Sequence, residues 1–133
     1  MRTSEYQITK MKVLLLEPDE YYQTQLLQLL GSDFEVTTAR DNRAAEHLFN
    51  STAPDLLVCE LMLADGPSFE LLEKLRRDRS SSTLPIIVFT QINSLPDIAA
   101  ALSIGVNGYF VKGRDNLSDV KKLLLNLVLE AQT

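Results

Sequence analysis

The stretch DLLVCELMLADG, residues 55–66, holds the repeating logic of the chain. Pro54 marks the entry to an apolar run, Leu56 to Cys59, that reads as a core strand. The run stops at a lone carboxylate, Glu60, and passes through Leu61, Met62 and Leu63 to Gly66 and Pro67. Those two residues are expected to open a helix carrying Phe69, Leu72 and Leu75 on one face.

The same alternation extends in both directions. Upstream, KVLLL (12–16) reads as a buried strand. A helix follows from Asp19 to Leu30, with Tyr22, Leu26, Leu29 and Leu30 on one side. Gly31 is placed to stop that helix in the left-handed conformation that glycine accepts. FEVTTA (34–39) is a less buried strand, and Asp41 or Asn42 caps a second helix lined by Ala44, Ala45, Leu48 and Phe49. Downstream, SSST (80–83) is a polar loop and LPIIVFT (84–90) the strongest strand. A helix over Leu95–Ile104 ends at Gly105, GYFVK (108–112) is the fifth strand, and Leu117–Ala131 is the last helix. Five strands alternating with five helices predict an α/β fold, a doubly wound parallel sheet covered on both faces. Residues 1–11 read as an N-terminal extension and 12–131 as the domain.

Composition narrows the function classes. A chain of 133 residues with 45% hydrophobic and 23% charged content forms one compact domain with a single fold to work with. Its net charge of −5 lacks the basic surplus with which a nucleic-acid binder neutralises phosphates. The one basic run, Lys74 to Arg79, suits the negative end of the third helix. No apolar run approaches bilayer length, and MRTSEYQITK lacks the apolar core of a signal peptide. Cys59, the single cysteine, excludes an internal disulfide and packs as a small apolar residue. The expectation is a cytoplasmic protein with neither a nucleic-acid nor a membrane partner.

In open parallel sheets, function gathers at the carboxyl ends of the strands. Here the first strand stops at Glu17, the third at Glu60, the fourth at Thr90 and the fifth at Lys112. Each residue alone can be the first solvated position after a strand. Together, two carboxylates and an ammonium on one edge are either an ion-pair network or a site for a metal and a phosphoryl group. His47, the only histidine, lies in the second helix away from this edge and leaves no obvious acid–base catalyst. An enzyme is therefore not expected.

From Lys12 to Leu129 the chain resembles a response-regulator receiver domain of two-component signalling, through KVLLLEPDE, PDLLVCELMLADG, FELLEKLR, LPIIVFT and GYFVK in that order. The resemblance implies strand order 2-1-3-4-5, an order illustrated by a member of that family. It also implies an aspartate phosphoacceptor after strand three and a pair of acids after strand one that holds Mg²⁺. A Ser or Thr and a Lys contact the phosphoryl oxygens, and an aromatic residue in strand five changes rotamer on activation. By position these roles fall on Glu60, on Glu17 and Pro18, on Thr90 and Lys112, and on Tyr109.

Two positions depart from the family pattern. Glu60 stands where the acceptor aspartate would be and reaches roughly 1.5 Å further, one extra C–C bond. An error of about 1 Å in positioning costs about 10²-fold in rate. Pro18 supplies no carboxylate, so Mg²⁺ binding is expected to be weak or absent. Asp19, one residue on, joins the acidic pocket or caps the first helix. Lys112 is followed by Gly113, and Ala64 lies in the loop after Glu60, both at places where the family commonly has proline.

The leading expectation is a phosphorylation-independent interaction module in which Glu60 pairs with Lys112. That pair either holds an active-like arrangement or is only a structural ion pair. A working phosphoacceptor with an unusual site is the alternative. A flavodoxin-like small-molecule binder is more distant, because EPDEYY (17–22) has no glycine to cradle a phosphate. Partners expected from the resemblance are a signalling protein, a histidine-kinase-related protein, or a second copy docked through the fourth helix, fifth strand and last helix. On that last helix Leu125 and Leu129 fall beside the inward stripe, near Lys121 and Lys122.

Overall fold

The computed structural model describes residues 10–132. The main strands are β1 (Met11–Leu16), β2 (Phe34–Ala39), β3 (Leu56–Cys59), β6 (Ile86–Thr90) and β7 (Gly108–Val111). Two further strands, β4 (Met62–Leu63) and β5 (Gly66–Pro67), form a small antiparallel hairpin after β3. The helices are α1 (Glu20–Leu30), α2 (Asn42–Thr52), α3 (Phe69–Arg77), α4 (Leu95–Ile104) and α5 (Leu117–Gln132).

The main sheet is parallel throughout, in the order β2-β1-β3-β6-β7. Leaving the hairpin out of the count, this is the expected order 2-1-3-4-5. Alternating residues divide the core in two. Leu14, Leu16, Leu57, Cys59, Ile86 and Val88 face α2, α3 and α4. Val13, Leu15, Leu56, Val58, Ile87 and Phe89 face α1 and α5 through Leu26, Leu30, Val120 and Leu124. Strands buried on both faces must be apolar at every position, and all residues of β3 and β6 are buried. Each leucine so buried contributes roughly 1.5–3 kcal/mol. The edge strand β2 has only Phe34 and Ala39 fully buried, as its alternating sequence predicts.

Helix ends follow local chemistry. Asp19 caps α1 by accepting from the Tyr21 N–H at 2.8 Å, and Asp41 caps α2 from the Ala44 N–H at 2.8 Å. Ser94 caps α4 with Pro96 in the first turn, and Gly105 (φ 99°) closes it in the left-handed region. Lys74, Arg76 and Arg77 occupy the last turn of α3, where cations oppose the helix dipole.

Two expectations are corrected. Gly31 is right-handed, φ −64°, because its N–H still bonds to the Leu27 carbonyl and continues the helical turn. Gly66 and Pro67 do not begin α3. Pairing with Met62 and Leu63 draws them into the hairpin, and α3 starts at Phe69. Strand β1 begins at Met11, one residue before the expected start, and residues 1–9 of the expected N-terminal extension lie outside the described residues.

Candidate functional site

Strand register brings the polar residues together. Leu16 pairs with Cys59 and Cys59 with Val88, so Glu17 and Glu60 leave the sheet side by side. The ladder continues one step past the strands: the Glu60 N–H donates to the Leu16 carbonyl at 2.9 Å and the Lys112 N–H to the Thr90 carbonyl at 2.8 Å. Each side chain is therefore aimed by backbone bonds on adjacent strands.

The result is a buried cluster of three charges. Lys112 Nζ lies 2.8 Å from Glu60 Oε1 and 2.9 Å from Glu17 Oε2. The side chains of Lys112, Glu17 and Glu60 are 4%, 1% and 8% exposed, so water does little to screen them. The second Glu60 oxygen, Oε2, accepts from the Leu61 N–H at 2.6 Å and the Met62 N–H at 3.3 Å. Glu17 Oε2 also accepts from the Asp19 N–H at 3.0 Å. Aromatic rings complete the surroundings: the ammonium stands 4.7 Å from the centroid of Tyr22 and 5.4 Å from that of Phe89.

Burial and pairing pull the titrations in different directions. Burial holds the Glu17 carboxyl above the ordinary glutamate range, against the hydrogen bonds from Lys112 and Asp19 that favour its charge. Burial acts to lower the Lys112 ammonium, but the hydrogen bonds and charges of Glu60 and Glu17 more than offset it, and the net direction is upward. The cluster holds a firmly charged lysine and a reluctant Glu17.

The remaining expected residues occupy distinct places. Thr90 is fully buried, and its Oγ1 accepts from the Ile92 N–H at 3.3 Å. The half-buried Tyr109 donates its hydroxyl to the Ile92 carbonyl at 2.7 Å, tying β7 to the loop before α4. Asp19 is exposed and engaged as the α1 cap, outside the Lys112 cluster. Leu125 and Leu129 are 36% and 61% exposed on the outer side of α5, beside the Lys121–Asp33 ion pair. His47 is exposed.

Three participants escaped the sequence reading. Ser68, fully buried, donates its Oγ–H to the Glu60 carbonyl at 2.9 Å and accepts from Cys59 Sγ at 3.3 Å, pinning the chain behind Glu60. Burial pushes the Cys59 thiol up to about 12, so it stays a neutral packing group. Tyr22 and Phe89 were legible only as core residues. Their signal was position: Tyr22 lies in the first turn of α1 and Phe89 one residue before a strand end, both next to the edge where Lys112 emerges.

A divalent metal is the group that the resemblance to receiver domains implies here, and the donor set does not fit it. Pro18 has no carboxylate, Asp19 is spent on a helix cap, and Glu17 and Glu60 both point at one ammonium. Octahedral ligation of Mg²⁺ takes several oxygens, and the two carboxylates here are turned to an ammonium that would have to move aside. Among the described residues no cluster of three or more His, Cys, Asp or Glu could hold a metal ion, and no helix is long and apolar enough to cross a membrane.

The response regulator receiver domain model matches residues 13–123. The chain is 34% identical to the transcriptional regulatory protein AfsQ1 of Streptomyces coelicolor over 75% of its own length and 44% of that protein's. It is 34% identical to the virulence transcriptional regulatory protein PhoP of Salmonella typhimurium over 77% of its length and 45% of that protein's. The chain thus spans less than half the length of these curated relatives. Among solved structures, the non-phosphorylated HemR receiver domain from Leptospira biflexa superposes with a TM-score of 0.80 at 27% identity, covering 90% of this chain and 94% of that one. The BeF3-activated receiver domain of Klebsiella pneumoniae RstA, at 24% identity, shares the fold with a TM-score of 0.75 over 86% of this chain and 96% of its own. Sheet order, site placement and family match converge, and the chain belongs to the receiver-domain family of two-component response regulators.

Proposed function

We propose that this receiver signals without phosphotransfer, as a protein–protein interaction module whose acceptor position is permanently occupied by a paired glutamate. One observation carries the reading: both Glu60 oxygens are engaged, Oε1 by Lys112 and Oε2 by the Leu61 and Met62 amides, in a site only 6% exposed. An acceptor carboxylate needs an oxygen free to attack phosphorus in line, together with a cation to offset the charge that develops. Glu60 Oε1 is turned to the Lys112 ammonium and Oε2 to two backbone amides, and Pro18 adds no carboxylate for a metal.

The charge of Glu60 lies against Lys112, at the place where the phosphoryl charge would otherwise develop. The Tyr109–Ile92 hydrogen bond holds strand β7 to the loop before α4 and supports a fixed arrangement of that surface. The alternative, a working phosphoacceptor, is favoured by the retention of Thr90 and Lys112 beside the acceptor position.

Receiver domains interact with histidine kinases and other signalling partners. For this chain the output surface is the face of α4, β7 and α5, where Leu95 and Leu102 of α4 are 80% and 54% exposed. A second copy or a signalling protein docks there. The test is phosphorylation by acetyl phosphate with Mg²⁺, read by intact mass. The double variant Glu60→Asp plus Pro18→Asp should gain a phosphoryl adduct that the wild type lacks. Failure of both to react, with the variant folded, would place the block elsewhere than at these two residues.

A further inference from the structure

The cluster poses a problem of charge. Two buried carboxylates face one another across a single ammonium, whereas a divalent cation would neutralise both. A lysine keeps such a seat only if its flexible four-carbon stem is held in one conformation. The stem of Lys112 has walls. Tyr22 reaches in from the first turn of α1 with its ring 4.7 Å from the ammonium, and Phe89 stands at 5.4 Å. The two rings pack edge to face, with centroids 5.3 Å apart and an interplanar angle of 81°. Tyr21, 64% exposed, packs edge-on against Tyr22 at 5.2 Å and braces it from outside. These rings present negative π faces to the cation rather than the carboxylate oxygens that Mg²⁺ takes as ligands.

We propose that Tyr22 is the positioning residue of this site: its ring closes over Lys112 and keeps the ammonium between Glu17 and Glu60 as a built-in cation that excludes divalent metal. This rests on the reading of the site as one that does not transfer phosphate, and it assigns the cause of metal exclusion to an aromatic wall as well as to the missing acid at Pro18. Tyr22 does not touch a reacting atom; it acts through Lys112.

The test is Mn²⁺ titration followed by paramagnetic broadening of backbone amides around Glu17 and Glu60, alongside direct observation of the Lys112 ¹⁵N-ammonium signal. A buried, held ammonium exchanges its protons slowly enough to be seen. Wild type should give that signal and show no saturable Mn²⁺ broadening. Tyr22→Phe, which keeps the ring, should behave the same. Tyr22→Leu, which keeps apolar volume but removes the ring, should lose the ammonium signal and gain saturable Mn²⁺ broadening of the amides around Glu17 and Glu60. If Tyr22→Leu keeps both the signal and the wild-type indifference to Mn²⁺, the role assigned to Tyr22 is wrong while the reading of Glu60 stands. If wild type itself binds Mn²⁺ saturably at Glu17 and Glu60, the metal-exclusion reading falls as well.

Discussion

Two ion pairs in this molecule have almost the same length and quite different consequences. Lys74 meets Glu46 at 2.6 Å on the surface between α3 and α2, with the side chains 59% and 47% exposed. Lys112 meets Glu60 at 2.8 Å where both are nearly dry. The surface pair is screened by water and salt, and each side chain loses rotamer freedom to form it, so it adds little. The buried cluster has already given up its hydration, and each member depends on the others for compensation. Environment, and not distance, separates an ornament from a structural commitment.

The comparison breaks first if Lys112 proves dispensable. Lys112→Met leaves Glu17 and Glu60 facing each other without a cation, and should cost about 3–5 kcal/mol in urea unfolding at neutral pH. A loss below about 1 kcal/mol would mean that water already reaches the cluster. Glu60→Gln is milder. Its amide oxygen can still accept from the Leu61 and Met62 N–H groups, but its NH2 then faces Lys112 where Oε1 accepted, so the charge and the hydrogen bond are both lost and a cost of roughly 1–3 kcal/mol is expected in the same assay.

Smaller still is a pH effect specific to Glu17. A carboxyl whose folded pKa is raised above its unfolded value stabilises the fold at pH values below the unfolded one. That contribution is lost as pH rises through the folded value. Glu17 is raised from an ordinary 4.5, so wild type should lose stability relative to Glu17→Gln as pH climbs from below 4.5 toward neutrality. Lys112, raised above 10.5, contributes stability that is intact across that window and lost only in more alkaline solution, so it does not mask the trend. Parallel stability curves for the two proteins would contradict burial as the dominant influence on Glu17. The smallest effect belongs to the surface: Lys74→Ala should change stability by less than about 1 kcal/mol, and less again at high salt.

The fold was legible because hydrophobic patterning is local. Continuous apolar runs in LLVC and IIVFT mark strands buried on both faces, and the alternating FEVTTA marks the edge. The hairpin at Met62–Pro67 was not: the Asp65 carboxylate in its turn accepts from the Asn42 and Arg43 N–H groups, 22 to 23 residues away, a contact that local patterning does not reveal. Gly31 misled for a related reason: a glycine after a helix permits a left-handed turn without requiring one.

At the site, Glu17, Glu60 and Lys112 were readable as strand ends, because parallel register carries strand ends to one edge. Ser68 and the aromatic wall were not. A serine behind a strand end and a tyrosine on a helix stripe have sequence signatures identical to a loop residue and a core residue. Their roles arise only when α1 and the β3–α3 connection fold back over the sheet edge.

The most direct measurement is the intact mass of the wild-type protein after incubation with acetyl phosphate and Mg²⁺, with Glu60→Gln as the control. The account predicts an unmodified mass for both, because the Glu60 oxygens are already committed to Lys112 and to the Leu61 and Met62 amides. A phosphoryl adduct on the wild type that disappears in Glu60→Gln would contradict it, and would make Glu60 a working acceptor.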